Sequence, residues 1–209
     1  NNDYLIISES VMRSAVYLKI STPEGNVENL RLTEKIWNKF ALKSGDIISS
    51  DIYNQIRTES DLCEALTKAV SYLSYSAYSV RELSDKLKHA GFSPEISEKA
   101  AKEMLLRGII DEQSQADRIA EREVRVKCRG PARIKQYLIA HGYPLSVTEK
   151  AVQSISREAY LTALSISAQK KYSGGFPENQ AERQKLISYL IRQGFALSDI
   201  MKLRNGHLL

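Results

Sequence analysis

The chain has 209 residues, 43% of them hydrophobic and 26% charged, a composition ordinary for a globular domain that buries roughly 70% of its unfolded surface without a metal or disulfide. No apolar run reaches the ~20 residues of a membrane span, and Cys63 and Cys128 stand far apart with no CxxC partner, which speaks against a disulfide framework, a zinc site and a membrane protein. Charge is uneven: residues 1–61 hold 7 Lys/Arg against 9 Asp/Glu, whereas residues 62–209 hold 23 against 16, so the later part carries the basic excess that attracts an anionic partner.

Asn1-Asn2-Asp3-Tyr4 shows no basic region followed by an apolar core, so no secretory signal is read, and the missing initial Met implies a short leader trimmed or left out. A reducing, cytoplasmic setting is expected from the two unpaired cysteines. Ser14–Ile20 (SAVYLKI) and Val27–Leu32 (VENLRL) are rich in β-formers and flank Thr22-Pro23-Glu24-Gly25-Asn26, a turn composition that predicts a hairpin. Thr33 is placed to cap a short helix carrying Ile36, Trp37 and Phe40, with Trp37 as a core anchor, and Ser44-Gly45-Asp46 ends it. Ser50 or Asp51 caps another short helix running through Ile56.

After Asp61 the period becomes helical. Leu62, Ala65, Leu66, Ala69, Val70 and Leu73 share one face. Ser79-Val80-Arg81-Glu82 has capping-box spacing and opens a helix with Leu83 and Leu87 inside, stopped by Gly91-Phe92. Ser93-Pro94-Glu95 starts the next, whose apolar positions are Ile96, Ala100, Met104 and Leu105 and whose end is Gly108. Asp111-Glu112 then caps the following helix. The pattern returns at Gly130-Pro131 through Gly142-Tyr143 and at Gln184 through Gly194-Phe195, so the glycines recur every 51 or 52 residues. Leucine or isoleucine pairs stand eight and four residues before each, and Ser93, Ser146 and Ser198-Asp199 follow as caps. Tyr172-Ser173-Gly174-Gly175-Phe176-Pro177 reads as a loop.

The expected architecture is therefore mainly α: three tandem three-helix repeats forming an elongated, curved array behind a small N-terminal segment of β-hairpin plus helix. The expected boundaries are 1–61 for that segment and 62–110, 111–156 and 157–209 for the repeats.

No Walker A loop, GxGxxG, GxSxG or HExxH occurs, so no catalytic, cofactor or metal site is assigned. His89, His141 and His207 are dispersed; His89 and His141 fall near helix ends, where an imidazole complements the dipole. The strongest chemical signal is Arg122, Arg125, Lys127, Arg129, Arg133 and Lys135, opposed between 122 and 135 by Glu123 alone. A second group is Lys170, Lys171, Arg183, Lys185 and Arg192. Tyr137, Tyr143, Tyr172 and Tyr189 lie among them and are expected mostly in the core. About five phosphate contacts would make DNA binding weak, non-specific and on the order of 10²–10³-fold salt-sensitive between 50 and 200 mM. No recognition helix offers Asn, Gln and Arg together to read base edges.

Gly130-Pro-Ala-Arg-Ile-Lys-Gln-Tyr-Leu-Ile-Ala-His-Gly142 resembles the G-P-x-R-I-x-x-x-L-x-x-x-G signature of the RecX family, bacterial modulators of RecA recombinase. Tyr72-Leu73-Ser74 with Ser79-Val80-Arg81-Glu82-Leu83 resembles the opening of its first unit, and Lys171-Tyr172 with Lys185-Leu186 through Gly194-Phe195 resembles its third. The likeness covers roughly 62–205. The family's usual G-Y-L-D-D-x-x-[FY]-A run is here Gly108-Ile-Ile-Asp-Glu-Gln-Ser-Gln115-Ala116, with Gln115 in the aromatic's place, so no role is transferred there. The resemblance implies a monomeric, cofactor-free regulator that lies in the groove of a RecA–DNA filament and mainly inhibits strand exchange and ATPase activity, within recombination, DNA repair and the SOS response. The residues expected on the filament are Arg122, Arg125, Lys127, Arg129, Arg133, Lys135, Lys170, Lys171, Lys185 and Arg192. A helix-turn-helix-like DNA-binding module and a salt-insensitive protein scaffold are the alternative readings.

Overall fold

The structure, a computed structural model, describes residues 3–13, 15–173 and 175–204; Ser14, Gly174 and His207 lie outside the described residues. It is mainly helical with a strand-bearing N-terminal segment, and divides into two compact units, Asn1–Ile110 and Asp111–Leu209.

In the first unit, strands β1 (Tyr4–Met12), β2 (Ala15–Ser21), β3 (Val27–Thr33) and β4 (Ile47–Ile48) form an antiparallel sheet in the order β3-β2-β1-β4. The expected hairpin is β2–β3, closed at Thr22–Asn26 with Gly25 at φ +84°. β1 and β4 were not legible. Of the nine residues of β1 only Ile6 is buried, so its place comes from backbone pairing rather than from side-chain alternation. Helix α1 (Glu34–Phe40) begins as expected, with the Thr33 hydroxyl accepting from the Ile36 amide. Trp37 is buried among Ile6, Val16, Leu18, Ile20, Leu32 and Ile56.

Helix α2 (Ser50–Tyr75) corrects the sequence reading. It is one helix of 26 residues, not a short helix to Ile56 followed by a new one after Asp61, so the 61/62 division falls inside it. The polar run Arg57-Thr58-Glu59-Ser60-Asp61 breaks the apolar pattern without breaking the helix. Ser60 is buried and its hydroxyl accepts the amide of Arg31 on β3 at 2.9 Å. Tyr53 and Ile56 pack on the sheet, whereas Leu62, Ala65 and Ala69 pack with α3 (Val80–His89) and α4 (Pro94–Leu106). Val70 and Leu105, expected on apolar faces, are exposed.

The capping box at Ser79 and Glu82 is formed. Gly91 adopts φ +98°, and the Phe92 amide donates to the Leu87 carbonyl at 3.3 Å. The second unit holds α5 (Glu112–Arg125), α6 (Pro131–Ala140), α7 (Leu145–Gln153), α8 (Arg157–Lys171), α9 (Gln180–Arg192) and α10 (Leu197–Arg204). The same closure recurs there. Gly142 and Gly194 have φ +85° and +92°, with Tyr143 donating to Leu138 O at 3.1 Å and Phe195 to Leu190 O at 3.2 Å. Tyr143 and Phe195 are buried in the one core that α5 to α10 share, around Ala120, Val124, Ile134, Leu138, Leu164 and Leu186.

Three expected caps are corrected, the first being that of α2, where the Ser49 hydroxyl, not Ser50 or Asp51, accepts from the Ile52 amide at 3.4 Å. Helix α7 starts one residue before Ser146, behind Pro144, with no side-chain cap. Asp199 lies inside α10 and reaches α8 instead. Asp111 does cap α5, its carboxylate accepting from the Ser114 amide at 2.9 Å. Gln115, at the departure from the family pattern, is buried and accepts the Tyr143 hydroxyl at 3.1 Å. A polar pair thus fills the place expected for an aromatic. His89 and His141 donate from Nδ1 to the carbonyls of Asp85 and Tyr137 at 2.6 and 2.8 Å, in line with helix-end roles.

Candidate functional site

The G-P-x-R-I stretch begins α6, and its first residue is there for space. A Cβ on Gly130 would lie 2.3 Å from the carbonyl carbon and oxygen of Gly194, so the start of α6 abuts the end of α9 backbone to backbone. The Gly130 amide donates to Gln193 O at 2.8 Å and the Ala132 amide to Gly194 O at 3.3 Å. Arg133 completes the junction, its Nη1 donating to Arg192 O at 3.3 Å and to Gln193 Oε1 at 3.2 Å. A guanidinium here satisfies the Arg192 carbonyl at the negative end of α9. Arg133 is thereby a packing residue more than a free cation.

The turn leading into α6 is equally constrained. Glu123, whose side chain is 2% exposed, pairs with Arg129 and with Arg122 at 3.3 Å. A buried carboxylate needs such cations, because burial without them is costly. Arg129 also stands over the Tyr137 ring. Cys128 takes the left-handed conformation at φ +51°, its carbonyl accepts the Ser167 hydroxyl at 2.8 Å, and its Sγ lies 3.7 Å from Lys170 Nζ.

These contacts bring the two basic groups of the sequence together. Lys127 and Arg129 come from the α5–α6 turn, Lys170 from the last turn of α8, and Arg133 and Arg192 from the junction of α6 with α9. Lys171 lies over the Tyr189 ring on α9, and Lys185 stands one helical turn before that tyrosine. Arg122 and Arg125 occupy the last turn of α5. Arg125 is bound to Glu121, which pushes its guanidinium above its ordinary pKa. Lys135 is drawn to Glu149 on α7 at 2.8 Å. Arg183 binds the Pro177 and Glu178 carbonyls and so serves its own loop. Among the described residues Lys127, Lys185 and Arg192 are exposed and make no ion pair.

A network that the sequence did not reveal ties α8 to α10. Arg157 donates to both Asp199 oxygens at 3.1 and 2.7 Å, and the Tyr160 hydroxyl donates to Oδ2 at 2.8 Å. The Arg157 hydrogen bond holds the Asp199 carboxyl below the usual aspartate range, and burial pushes the Tyr160 hydroxyl up. No spacing announces such a pair, 42 residues apart. The Gly130–Gly194 contact did leave a trace: glycine stands where Ser, Asp or Asn would cap α6 better. No group of three or more His, Cys, Asp or Glu among the described residues could hold a metal, and no described helix is long and apolar enough to cross a membrane.

A family model described as the RecX first three-helix domain matches residues 65–104, which span the later part of α2, α3 and most of α4. A regulatory protein RecX of Prosthecochloris aestuarii is 28% identical over 138 residues, 66% of this chain and 89% of that protein. That of Streptococcus uberis is 25% identical over 183 residues, 88% of this chain and 70% of that protein. The match to the Leuconostoc citreum RecX takes in 79% of this chain but 62% of that relative, so the chain spans less than two thirds of its length. Among solved structures, a regulatory protein RecX superposes with a TM-score of 0.75 at 19% identity, covering 97% of this chain and 98% of that one. RecX from Lactobacillus salivarius superposes with 0.61 at 18% identity, covering 70% and 96%. At those identities the likeness is one of fold.

Proposed function

We propose that the chain, which belongs to the RecX family, is a cytoplasmic, monomeric regulator that binds RecA and RecA–DNA filaments and inhibits strand exchange and ATP hydrolysis. It acts by occupying the filament rather than by catalysis. The glycine–aromatic helix ends at Gly91-Phe92, Gly142-Tyr143 and Gly194-Phe195 support this reading, since they recur at the spacing expected of a repeated helical unit. The observation that carries the reading is the convergence of cations from two separated stretches around the Gly130–Gly194 junction, with Lys127, Lys185 and Arg192 unpaired among the described residues. Such a surface fits an acidic protein face or phosphates along a groove. Arg129 and Arg133 hold that surface in shape, and the exposed cations meet the partner.

The test is co-sedimentation with RecA filaments on single-stranded DNA, together with their ATPase rate. Wild-type chain should pellet with filaments and slow hydrolysis, and Lys127, Lys185 and Arg192 replaced together by Ala should weaken both. Folded wild-type protein that neither pellets with filaments nor changes hydrolysis refutes the reading.

A further inference from the structure

A second group of cations and aromatics lies in the first unit, at the end of α2 and the start of α3. Tyr75, in the last turn of α2, is 88% exposed, the most exposed of the large hydrophobic residues. A tyrosine normally packs most of its ring; this one offers it to solvent. Three residues earlier on the same helix face, the Tyr72 ring is shared by two ammonium groups, with Lys68 Nζ 5.3 Å and Lys86 Nζ 5.4 Å from its centre. Lys86 also stands 4.8 Å from the ring of Tyr78, in the short link between α2 and α3. Arg81, exposed in the first turn of α3, adds a further cation.

Two of the carboxylates nearest in sequence to Lys86 are engaged elsewhere. Glu82, one turn before Lys86, turns back to the Ser79 amide at 3.1 Å in the capping box. Asp85 pairs with Lys88 at 3.4 Å. Among the described residues neither Lys68, Arg81 nor Lys86 makes an ion pair. Cations held over rings and in no ion pair among the described residues, next to a bare aromatic face, match a chain of alternating phosphates and unstacked bases. A protein segment would supply the anions but gives no reason for a bare ring. A duplex would supply phosphates but keeps its bases stacked inside.

We propose that this end of α2, with the start of α3, is a binding site for single-stranded nucleic acid, in which Tyr75 stacks on a base and Lys68, Arg81 and Lys86 take the neighbouring phosphates. The site concerns the free strand and stands apart from the filament reading, since its test contains no RecA.

The test is fluorescence anisotropy of the full chain with a labelled 15-nucleotide oligo-dT at low salt, an rU strand, and an abasic strand of equal charge. Tyr75→Ala should weaken oligo-dT binding roughly tenfold, the effect of losing one base stack. Tyr75→Phe should hold near the wild-type value, because the ring and not the hydroxyl is used. On the abasic strand Tyr75→Ala and wild type should bind alike. Lys68→Met with Lys86→Met should lower the salt slope by roughly 1–1.5 on any of the strands. Equal weakening of dT and rU binding by Tyr75→Ala supports the shared chemistry of a flexible strand, and weakening confined to one names the nucleotide the site prefers. Wild type that fails to bind oligo-dT, or Tyr75→Ala that binds within twofold of wild type while the double lysine variant also leaves affinity and slope unchanged, overturns the proposal. Circular dichroism keeps unfolding distinct from loss of the site.

Discussion

Replacing Gly130 by Ala should be among the most damaging single-methyl additions in this chain. The new Cβ would meet Gly194 C and O at 2.3 Å and Phe195 N at 2.6 Å. All three are backbone atoms, and carbon contacts are comfortable only at about 3.5 Å. The start of α6 and the end of α9 must therefore part by about 1 Å. Overpacking of this kind costs about 1–3 kcal/mol. Separation also removes the hydrogen bonds from Gly130 to Gln193 and from Ala132 to Gly194, each worth about 0.5–1.5 kcal/mol. The sum is about 2–6 kcal/mol, a drop of roughly 1–3 M in the urea midpoint for a slope of about 2 kcal/mol/M. Gly91→Ala is the contrast. Nothing lies within 4 Å of a Cβ there, so only the backbone cost of φ +98° applies, about 1–2 kcal/mol. Urea unfolding followed by far-ultraviolet circular dichroism decides. A Gly130→Ala midpoint equal to wild type, or a loss no larger than that of Gly91→Ala, would refute the reasoning.

Arg129→Met should destabilise the chain by about 3–5 kcal/mol, because it strips the principal cation from the buried Glu123 carboxylate; Ala at Lys127, Lys185 and Arg192 should leave the urea midpoint nearly unchanged, and the reverse order would overturn the division into supporting and contacting cations. Asp199→Asn should cost about 1.5–3 kcal/mol at neutral pH by weakening the bonds to Arg157 and Tyr160. The Asp199 carboxyl is held below its ordinary pKa when folded, so its contribution is complete above about pH 4 and is lost as pH falls through the folded value; stability profiles of wild type and Asp199→Asn that run parallel from pH 6 to 2 would count against this. Cys63 and Cys128, 8% and 3% exposed, should react slowly with a thiol reagent in the native protein and fast in urea, with burial also pushing the Cys63 thiol up; rapid native labelling would contradict it.

What could be read in advance was local chemistry. Ser79 and Glu82, Ser93 and Pro94, Thr33 and Asp111 act within three or four residues of themselves, and their roles survive any arrangement of the rest. The same holds for Gly91, Gly142 and Gly194, whose closures depend on one left-handed residue and one carbonyl five residues before the following amide. The reading failed where a segment takes its pattern from two neighbours at once. Helix α2 packs on a sheet in its first half and on helices in its second, and the polar turn between them looked like a break. Strand β1 failed for a related reason: sheet pairing places it, while its side chains are mostly exposed.

The basic excess after residue 61 and the G-P-x-R-I stretch were fixed by residue identity alone, since charge count and motif need no coordinates. How those cations divide was not. Arg129 and Arg133 look like Lys127 and Arg192 in one dimension, yet one pair is spent on a buried carboxylate and a helix-end carbonyl while the other faces solvent. That difference depends on partners that are distant in sequence, Gly194 against Gly130 and Gln193 beside Arg133. A side chain's charge belongs to its residue type, but whether that charge is free is a property of what the folded chain has put next to it.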